Sequence, residues 1–396
     1  MSKFKVSFTL KQHTPIIHFQ SNQNGATLRA TELKPKFDRF LLKYVFNNDF
    51  DKYKYYLIGY DERKDKEGKL KKEDFKGKEA FDYKVKIEQD LSKSKQINSR
   101  ESLFFGNMGD GDDKEYKKHN KSFKIEFFSF KPQIIEAIKK HFEAFLANNN
   151  FGTRQSKGYG GFYLDNKDLN TSLIPYKVFS FKSNHWEKDI RLFYQFLRQG
   201  INLKNRNQET TFYTKPAIFS YAKSKGWQWD KKSIKEKFFR SALNTQISAH
   251  KPSDVLEYSS NEKYLLRDLF GLSSTQEWKN PYNTTISKDG KNKDAKDKSK
   301  AKIERFKSPI TFKIVNNTVY FWANNSYKEV LGEPFIIKIK GNRETLELPY
   351  PKEFDFEDFL NYVLKIDLNK HIGSKFHNSS EFKNLDRILR DIKANK

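Results

Sequence analysis

The sequence predicts an α+β fold of tandem ferredoxin-like (RRM-like) domains with insertions and a glycine-rich loop. Three observations carry that expectation. In the first half, strand-like alternation and helix-like periodicity succeed each other as strand–helix–strand–strand–helix–strand, the ferredoxin-like order. The run Phe151-Gly-Thr-Arg-Gln-Ser-Lys-Gly-Tyr-Gly-Gly161 then follows the second helix directly. Beyond it, the second half repeats the strand and helix pattern more loosely, without repeating the sequence.

Lys3–Leu10 opens as a half-buried strand, because Phe4, Val6, Phe8 and Leu10 alternate with polar neighbours. A polar, glycine-containing turn is expected at Ser21–Gly25. The first helix follows, with Thr31 as N-cap and Pro35 in the first turn, where N–H groups lack intrahelical partners. Leu33, Phe37, Phe40, Leu41 and Tyr44 form its apolar face, and Lys36, Arg39 and Lys43 a separate cationic one. Strands are expected at Tyr53–Tyr60, Phe81–Ile87 and Phe123–Phe130. Between the first two, Asp61–Glu79 is almost entirely charged and reads as a solvated hairpin or disordered loop. Lys131–Asn150 is the second helix: Pro132 suits a helix start, and Ile134, Ile135, Ile138, Phe142 and Phe145 share one face. Phe162–Leu164 is the next strand, and decorating strands complete the domain.

The second half begins with a strand at Ile174–Phe181 and a helix at His185–Gln199 that stops at Gly200. A helical, aromatic section covers Phe219–Leu243. Lys288–Lys302 holds seven lysines and no apolar residue larger than alanine. It reads as an inserted loop. Strands at Ile310–Val315, Thr318–Ala323, Pro334–Lys340 and Glu344–Leu348 precede a helix around Phe354–Leu364. Residues 1–170 are therefore expected to form an N-terminal domain with the glycine-rich loop. Residues 171–396 would form a diverged second one with helical and Lys-rich insertions.

The formal charge of +26 over 396 residues points to an acidic partner, nucleic acid before membrane. Only 14 of the 76 basic residues are arginine, so much lysine charge belongs to solvated surface and each arginine carries more information. With no cysteine, disulfides and thiolate metal sites are excluded. No run approaches the length of a membrane span, and the start lacks an apolar signal core, so a soluble cytoplasmic protein is expected.

Four segments carry candidate chemistry. In the glycine-rich loop, Arg154, Lys157, Gly158, Tyr159 and Gly160 combine cations with backbone that can approach a phosphate closely. The alternative there is a glycine-rich helix terminus. Lys157-Gly-Tyr-Gly matches the opening of an RNA-recognition sheet motif, but Gly161 intervenes before Phe162 and the segment follows a helix. His13 and His18 flank Thr14-Pro15 and could serve general acid–base cleavage of RNA, or sit as edge-strand residues. Asp110-Gly-Asp-Asp113 clusters carboxylates but lacks the spacing of a calcium loop, so a turn is favoured. Arg305 and Lys307, ahead of Ser308-Pro309, could face a phosphate backbone or simply edge a strand.

Together these segments resemble the RAMP superfamily of CRISPR-associated proteins, and within it the first subunit of the type III-B Cmr effector complex. Phe8-Thr-Leu-Lys-Gln-His-Thr-Pro-Ile16 is similar to the family's first strand, which ends in Thr-Pro. Leu28-Arg-Ala-Thr-Glu-Leu-Lys-Pro-Lys-Phe-Asp-Arg-Phe40 is similar to its first helix, and Leu103-Phe-Phe-Gly-Asn107 to a recurrent turn. Arg154–Gly161 resembles its glycine-rich loop, and Arg305-Phe-Lys-Ser-Pro309 its second-half Arg-x-x-Ser-Pro. The family's usual Arg-Ser-x-Trp-Pro-Glu stretch appears only as the altered Lys215–Trp229. The resemblance implies a non-catalytic subunit that holds guide RNA and target RNA beside other subunits of a type III effector, with no cofactor, metal or membrane. It places the RNA on Arg29, Lys34, Lys36 and Arg39 of the first helix, on the glycine-rich loop, and on Arg305 and Lys307. The rival readings are a guide-processing endoribonuclease using His13 or His18, and a general RNA-binding protein.

Overall fold

Alternating apolar residues in the first strand dictate a sheet with one buried face, and the register shows which strands share it. The computed structural model describes residues 2–17, 28–60, 71–75, 77, 79–89, 94–98, 115–119, 121–240, 262–273, 275–278, 283–291, 302–303 and 305–396. The chain divides into two compact units. The first comprises Met1–Val178 with Phe312–Tyr320, and the second Phe179–Thr311 with Phe321–Lys396. The cut falls at Val178, eight residues after the expected one, and the return of residues 312–320 to the first unit was not foreseen.

Unit 1 is built from β1 (Lys5–Gln12), β2 (Ile16–Ile17), α1 (Ala30–Phe40), α2 (Phe50–Tyr53), β3 (Lys84–Glu88), β4 (Ser94–Asn98), β5 (Glu115–His119), β6 (Phe123–Phe128), α3 (Pro132–Asn148) and β7 (Phe162–Leu164). Its main sheet has the order β3-β6-β1-β7, every neighbour antiparallel. That is the ferredoxin-like arrangement, with the first and third principal strands at the centre. A smaller sheet β2-β5-β4 decorates it. Between the sheet and its helices, Phe37 meets Phe127, Phe142 and Phe145 at centroid distances of 6.0, 5.4 and 4.7 Å. Such offset and edge contacts suit the ring quadrupole and fix the helices on the sheet.

Several local expectations change. Arg29, in extended backbone, takes the position before α1, so Thr31 lies inside the helix and Pro35 in its second turn. Both are exposed, so water can satisfy the carbonyl that the proline leaves unpaired. A π-helical turn at Leu41–Val45 follows α1. Its wider winding carries Tyr44 off the apolar stripe, leaving it 48% exposed. Tyr53–Tyr60 is not a strand: Asp49 caps a short helix by accepting from Asp51 N–H at 3.2 Å, and only Leu57 bridges to Phe81. Within the charged stretch 61–79, the 3₁₀ turn Lys72–Phe75 buries Phe75 against Phe50. The expected turn at 21–25, His18, Leu103–Asn107, Asp110–Asp113 and residues 61–70 lie outside the described residues.

Unit 2 contains β8 (Phe179–Lys182), α4 (Trp186–Arg198), β9 (Ile201–Lys204), β10 (Thr210–Thr214), α5 (Ala217–Ser224), β11 (Gln228–Trp229), α6 (Asp230–Phe238), β12 (Lys263–Tyr264), β13 (Leu272–Ser273), β14 (Thr275–Trp278), β15 (Thr284–Lys291), β16 (Lys302–Ile303) and β17 (Arg305–Phe306). The hairpin strands β18 (Ile310–Val315) and β19 (Thr318–Ala323) straddle the division. Then come β20 (Pro334–Ile339), β21 (Thr345–Pro349), α7 (Phe356–Lys365), α8 (Leu368–His371) and α9 (Ser380–Ala394). The expected strand at 174–181 shortens to β8, and Gly226 with β11 splits the helical section at 219–243, whose last three residues lie outside the described ones. The final helix, α9, had no counterpart in the sequence reading. Phe321 stacks on Phe179 at 5.4 Å and touches Phe193 at 5.3 Å, which makes the core beneath β8 and α4.

The lysine-rich stretch is the sharpest revision. Lys288 is not in a loop: it lies on β15, opposite Ile337, and is fully buried in a pair with Asp268. Residues 292–301 lie outside the described residues. Burial pushes the Asp268 carboxyl up, but Lys288 and Arg267 outweigh it and hold it below its ordinary value. Burial pushes Asp230 up, opposed by Arg267, which lies 3.6 Å away, and by Lys288. Removing one member of a buried pair leaves the other charge uncompensated. Lys288→Ala should therefore lose roughly 3–5 kcal/mol in urea unfolding. Lys338→Ala, which breaks an exposed pair with Asp289 on the adjoining strand, should lose about 1 kcal/mol or less.

Candidate nucleic-acid interface

The glycine-rich loop is a packed knot rather than an open cradle. Gly160 has φ +68°, and a Cβ there would lie 1.8 Å from the Phe151 carbonyl oxygen. Gly152 has φ +76°, with its missing Cβ 2.6 Å from Ile17 O. Only glycine fits either position. Four of its backbone donors are engaged with other segments of unit 1. Gly152 N–H donates to the Glu32 carboxylate at 2.5 Å and Thr153 N–H to Ile17 O at 2.7 Å. Gly160 N–H donates to Pro15 O at 2.7 Å and Gly161 N–H to Thr14 Oγ1 at 2.8 Å. Thr14 Oγ1 in turn donates to Gly158 O at 2.7 Å. The Thr-Pro end of the first strand is thus the seat of the loop.

Two lysines and one asparagine fasten this knot. Lys36 Nζ, on α1, donates to Asn150 O and to Gln155 Oε1, the latter at 2.6 Å. Asn150 Nδ2 donates to Gln155 O at 2.7 Å and to Phe312 O at 2.8 Å. Lys313 Nζ reaches Asn149 O at 2.8 Å, Phe162 O at 3.2 Å and Asn150 Oδ1 at 3.3 Å. Burial, and secondarily the Lys36 ammonium, push Lys313 down to about 7. The three surrounding oxygens hold the amine in place.

Among the residues expected to touch RNA, the structure separates packing from display. Lys157 and Tyr159 are buried, and Gly158 and Gly160 serve the loop's own geometry, so the Tyr159 ring is not displayed for stacking. Lys34 points inward, paired with Asp38 at 2.8 Å, bonded to Phe81 O at 2.7 Å and lying over the Tyr83 ring. Lys36 is the clamp described above. Arg29 is half-buried, whereas Arg39 and Lys43 are exposed on α1 and its π-helical extension. Lys43 lies over the exposed Tyr44 ring at 5.0 Å. Arg154 is half-buried with φ +56°, a left-handed conformation that a non-glycine residue rarely adopts. Lys36 thus joins α1, which carries Arg39, to the loop that carries Arg154. Lys307 is exposed, and Arg305 lies on β17 opposite Ser273; both belong to unit 2. His13 Nδ1 accepts Asn316 N–H at 3.1 Å, which gives that imidazole a structural partner. Sequence reasoning missed Glu32, Asn150, Gln155 and Lys313, whose roles arise from tertiary contacts. No cluster with metal-ligand composition occurs among the described residues, nor any helix long and apolar enough to cross a membrane.

A ferredoxin-like sheet whose second helix runs into a glycine-rich loop, seated on a Thr-Pro strand end and clamped by the first helix, defines a RAMP-type domain. Family comparison narrows this. The family model for the Cmr1 N-terminal domain matches residues 3–201, and that for the Cmr1 C-terminal domain matches residues 213–394. The chain belongs to the Cmr1 family, RAMP proteins of type III-B CRISPR systems. No individually curated protein matches it.

Two outcomes test this geometry. Gly160→Ala should lower the melting temperature markedly, since the new methyl meets backbone and the residue is strained. Arg154→Gly should leave it unchanged or higher, since glycine accepts φ +56° without cost. Lys313 sets a pH dependence with a definite sign. Between its folded value of about 7 and the ordinary lysine range, the unfolded chain binds more protons, so stability rises with pH. Urea midpoints from pH 7 to 9 should show this component in the parent and lack it in Lys313→Met.

Proposed function

We propose that this chain is a non-catalytic RNA-binding subunit of a type III-B Cmr effector complex, holding guide RNA or guide–target duplex beside the other subunits. The observation that carries it is the cationic edge of α1. Arg39 and Lys43 project to solvent while Lys36, on the same helix, fastens the glycine-rich loop that carries the half-buried Arg154. A rigid helix edge presenting a planar guanidinium beside an ammonium suits phosphate recognition without loss of side-chain freedom at many sites. Tyr44 beside Lys43 adds a ring on which a base can stack. Family membership supports the same role, and the net charge of +26 supplies the long-range attraction. Against the endoribonuclease reading, His13 accepts from the Asn316 backbone and so has a structural role.

RNA binding should be strong at low salt and weaken steeply as salt rises, because each neutralised phosphate releases counterions. Arg39→Ala combined with Arg154→Gly should reduce the log–log salt slope by about 1.4, two contacts at about 0.7 each on single strands. Fluorescence anisotropy across salt concentrations measures it, and repeat RNA incubated with the parent protein should stay intact. An unchanged slope would remove this surface from the reading. Metal-independent cleavage that His13→Ala abolishes would replace the reading with the processing enzyme.

A further inference from the structure

The main sheet of unit 1 carries α1 and α3 on one face and leaves the other open. Cross-strand register orders that open face into rows. Lys84, Phe128 and Lys5 lie side by side; next come Lys86, Glu126 and Ser7, then Glu88, Lys124 and Thr9. Lys5, Lys84, Lys86 and Lys124 are exposed, and Lys11 continues the face along β1. Both carboxylates are already paired: Glu126 with Lys5 at 2.7 Å and Lys124 at 3.3 Å, Glu88 with Lys86 at 2.8 Å. Five lysines against two glutamates leave the face net positive.

Phe128 sits between two of these lysines, and Phe130 lies edge-on to it, ring centroids 5.0 Å apart. Phe130 is 79% exposed, more than any other large apolar side chain among the described residues. It adds little to the core, yet its backbone is held firmly. Ser129 N–H donates to Phe4 O at 3.0 Å, Ser129 Oγ donates to Asp82 O at 2.5 Å, and Lys131 N–H donates to Ser129 Oγ at 3.0 Å. A preorganised aromatic displayed among cations has the chemistry of a single-strand platform: bases stack on the ring while the lysines meet phosphates.

We propose that the open sheet face of unit 1 is a second RNA-binding surface, which takes unpaired bases of single-stranded RNA on Phe130 and Phe128 between Lys5 and Lys84. This rests on the RNA-binding reading above but uses the opposite face of the sheet from α1. A duplex, whose bases are already stacked, gains nothing from the rings. The lysines alone would suit any acidic surface, and the exposed rings beside them add the stacking contact that favours unpaired bases.

The test uses the full chain with two fluorescein-labelled probes, an unstructured pyrimidine-rich RNA strand and a blunt RNA duplex. Phe130→Ala should weaken strand binding by roughly 5- to 100-fold. It should leave duplex binding and the melting temperature unchanged. Phe130→Tyr, which keeps a stacking ring, should bind like the parent, and ultraviolet crosslinking should attach uridine to the Phe130 peptide. If Phe130→Ala binds the strand like the parent while the Arg39/Arg154 variant weakens both probes, the sheet face is overturned and the RNA reading stands. If neither variant alters RNA binding, both readings fall. If Phe130→Ala binds RNA normally but no longer assembles with the other Cmr subunits, the face is a protein interface and this inference is wrong.

Discussion

One asparagine decides how unit 1 is put together. Asn150, at the end of α3, accepts from Lys36 through its carbonyl and donates through its amide to Gln155 O and Phe312 O. Its side-chain oxygen accepts from Lys313. The first helix, the glycine-rich loop and the returning hairpin therefore meet at a single buried residue. A buried amide left without these partners would cost its full desolvation, so none of the three elements can move away alone. The loop's glycines follow from this arrangement. Once the chain is pinned at Asn150 and seated on Thr14 and Pro15, it can turn only through positive φ at Gly152, Gly158 and Gly160.

This changes what the glycine-rich loop is for. Its polar backbone closes on its own unit, and Lys157 and Tyr159 pack inward. Lys36 ties it to α1, so under the proposed function it would act as a preorganised support in place of a flexible grip. Arg154 is the exception. Its left-handed backbone is the kind of local strain that surrounding structure must hold in place, and in this loop it is found at the arginine.

Much of unit 1 was legible because its core is periodic. Ile134, Ile135, Ile138, Phe142 and Phe145 all bury as their spacing requires, and β1 and β6 follow their alternation. The errors arose where a local rule met a tertiary one. Tyr44 obeys the 3.6-residue period until the π-helical turn shifts its phase, and Tyr53–Tyr60 alternates well but is drawn into helical turns by the Asp49 cap and a shared aromatic cluster. The site was less legible than the fold. Residue type pointed to lysines and glycines, but whether an ammonium faces solvent depends on partners far away in sequence, such as Asp38 and Phe81 for Lys34.

Lysine placement is where composition misleads most. In a chain so rich in lysine, Lys34, Lys36, Lys288 and Lys313 all serve as internal fasteners, each satisfied by carboxylates or carbonyl oxygens inside its own unit. A long flexible stem lets an ammonium reach such acceptors while the stem packs against rings and strands. Their charges are screened from any ligand, so the formal excess of +26 overstates the field that RNA would meet. The surfaces that remain are defined by a second property. On α1 the exposed cations stand beside Tyr44, and on the open sheet they stand beside Phe128 and Phe130. Ammonium groups alone suit any anion, whereas ammonium groups with exposed rings favour an anion that also carries flat, stackable groups. A nucleic acid has both, and the pairing of these two features on two faces of one sheet is what the proposed recognition surfaces have beyond ordinary solvated lysine.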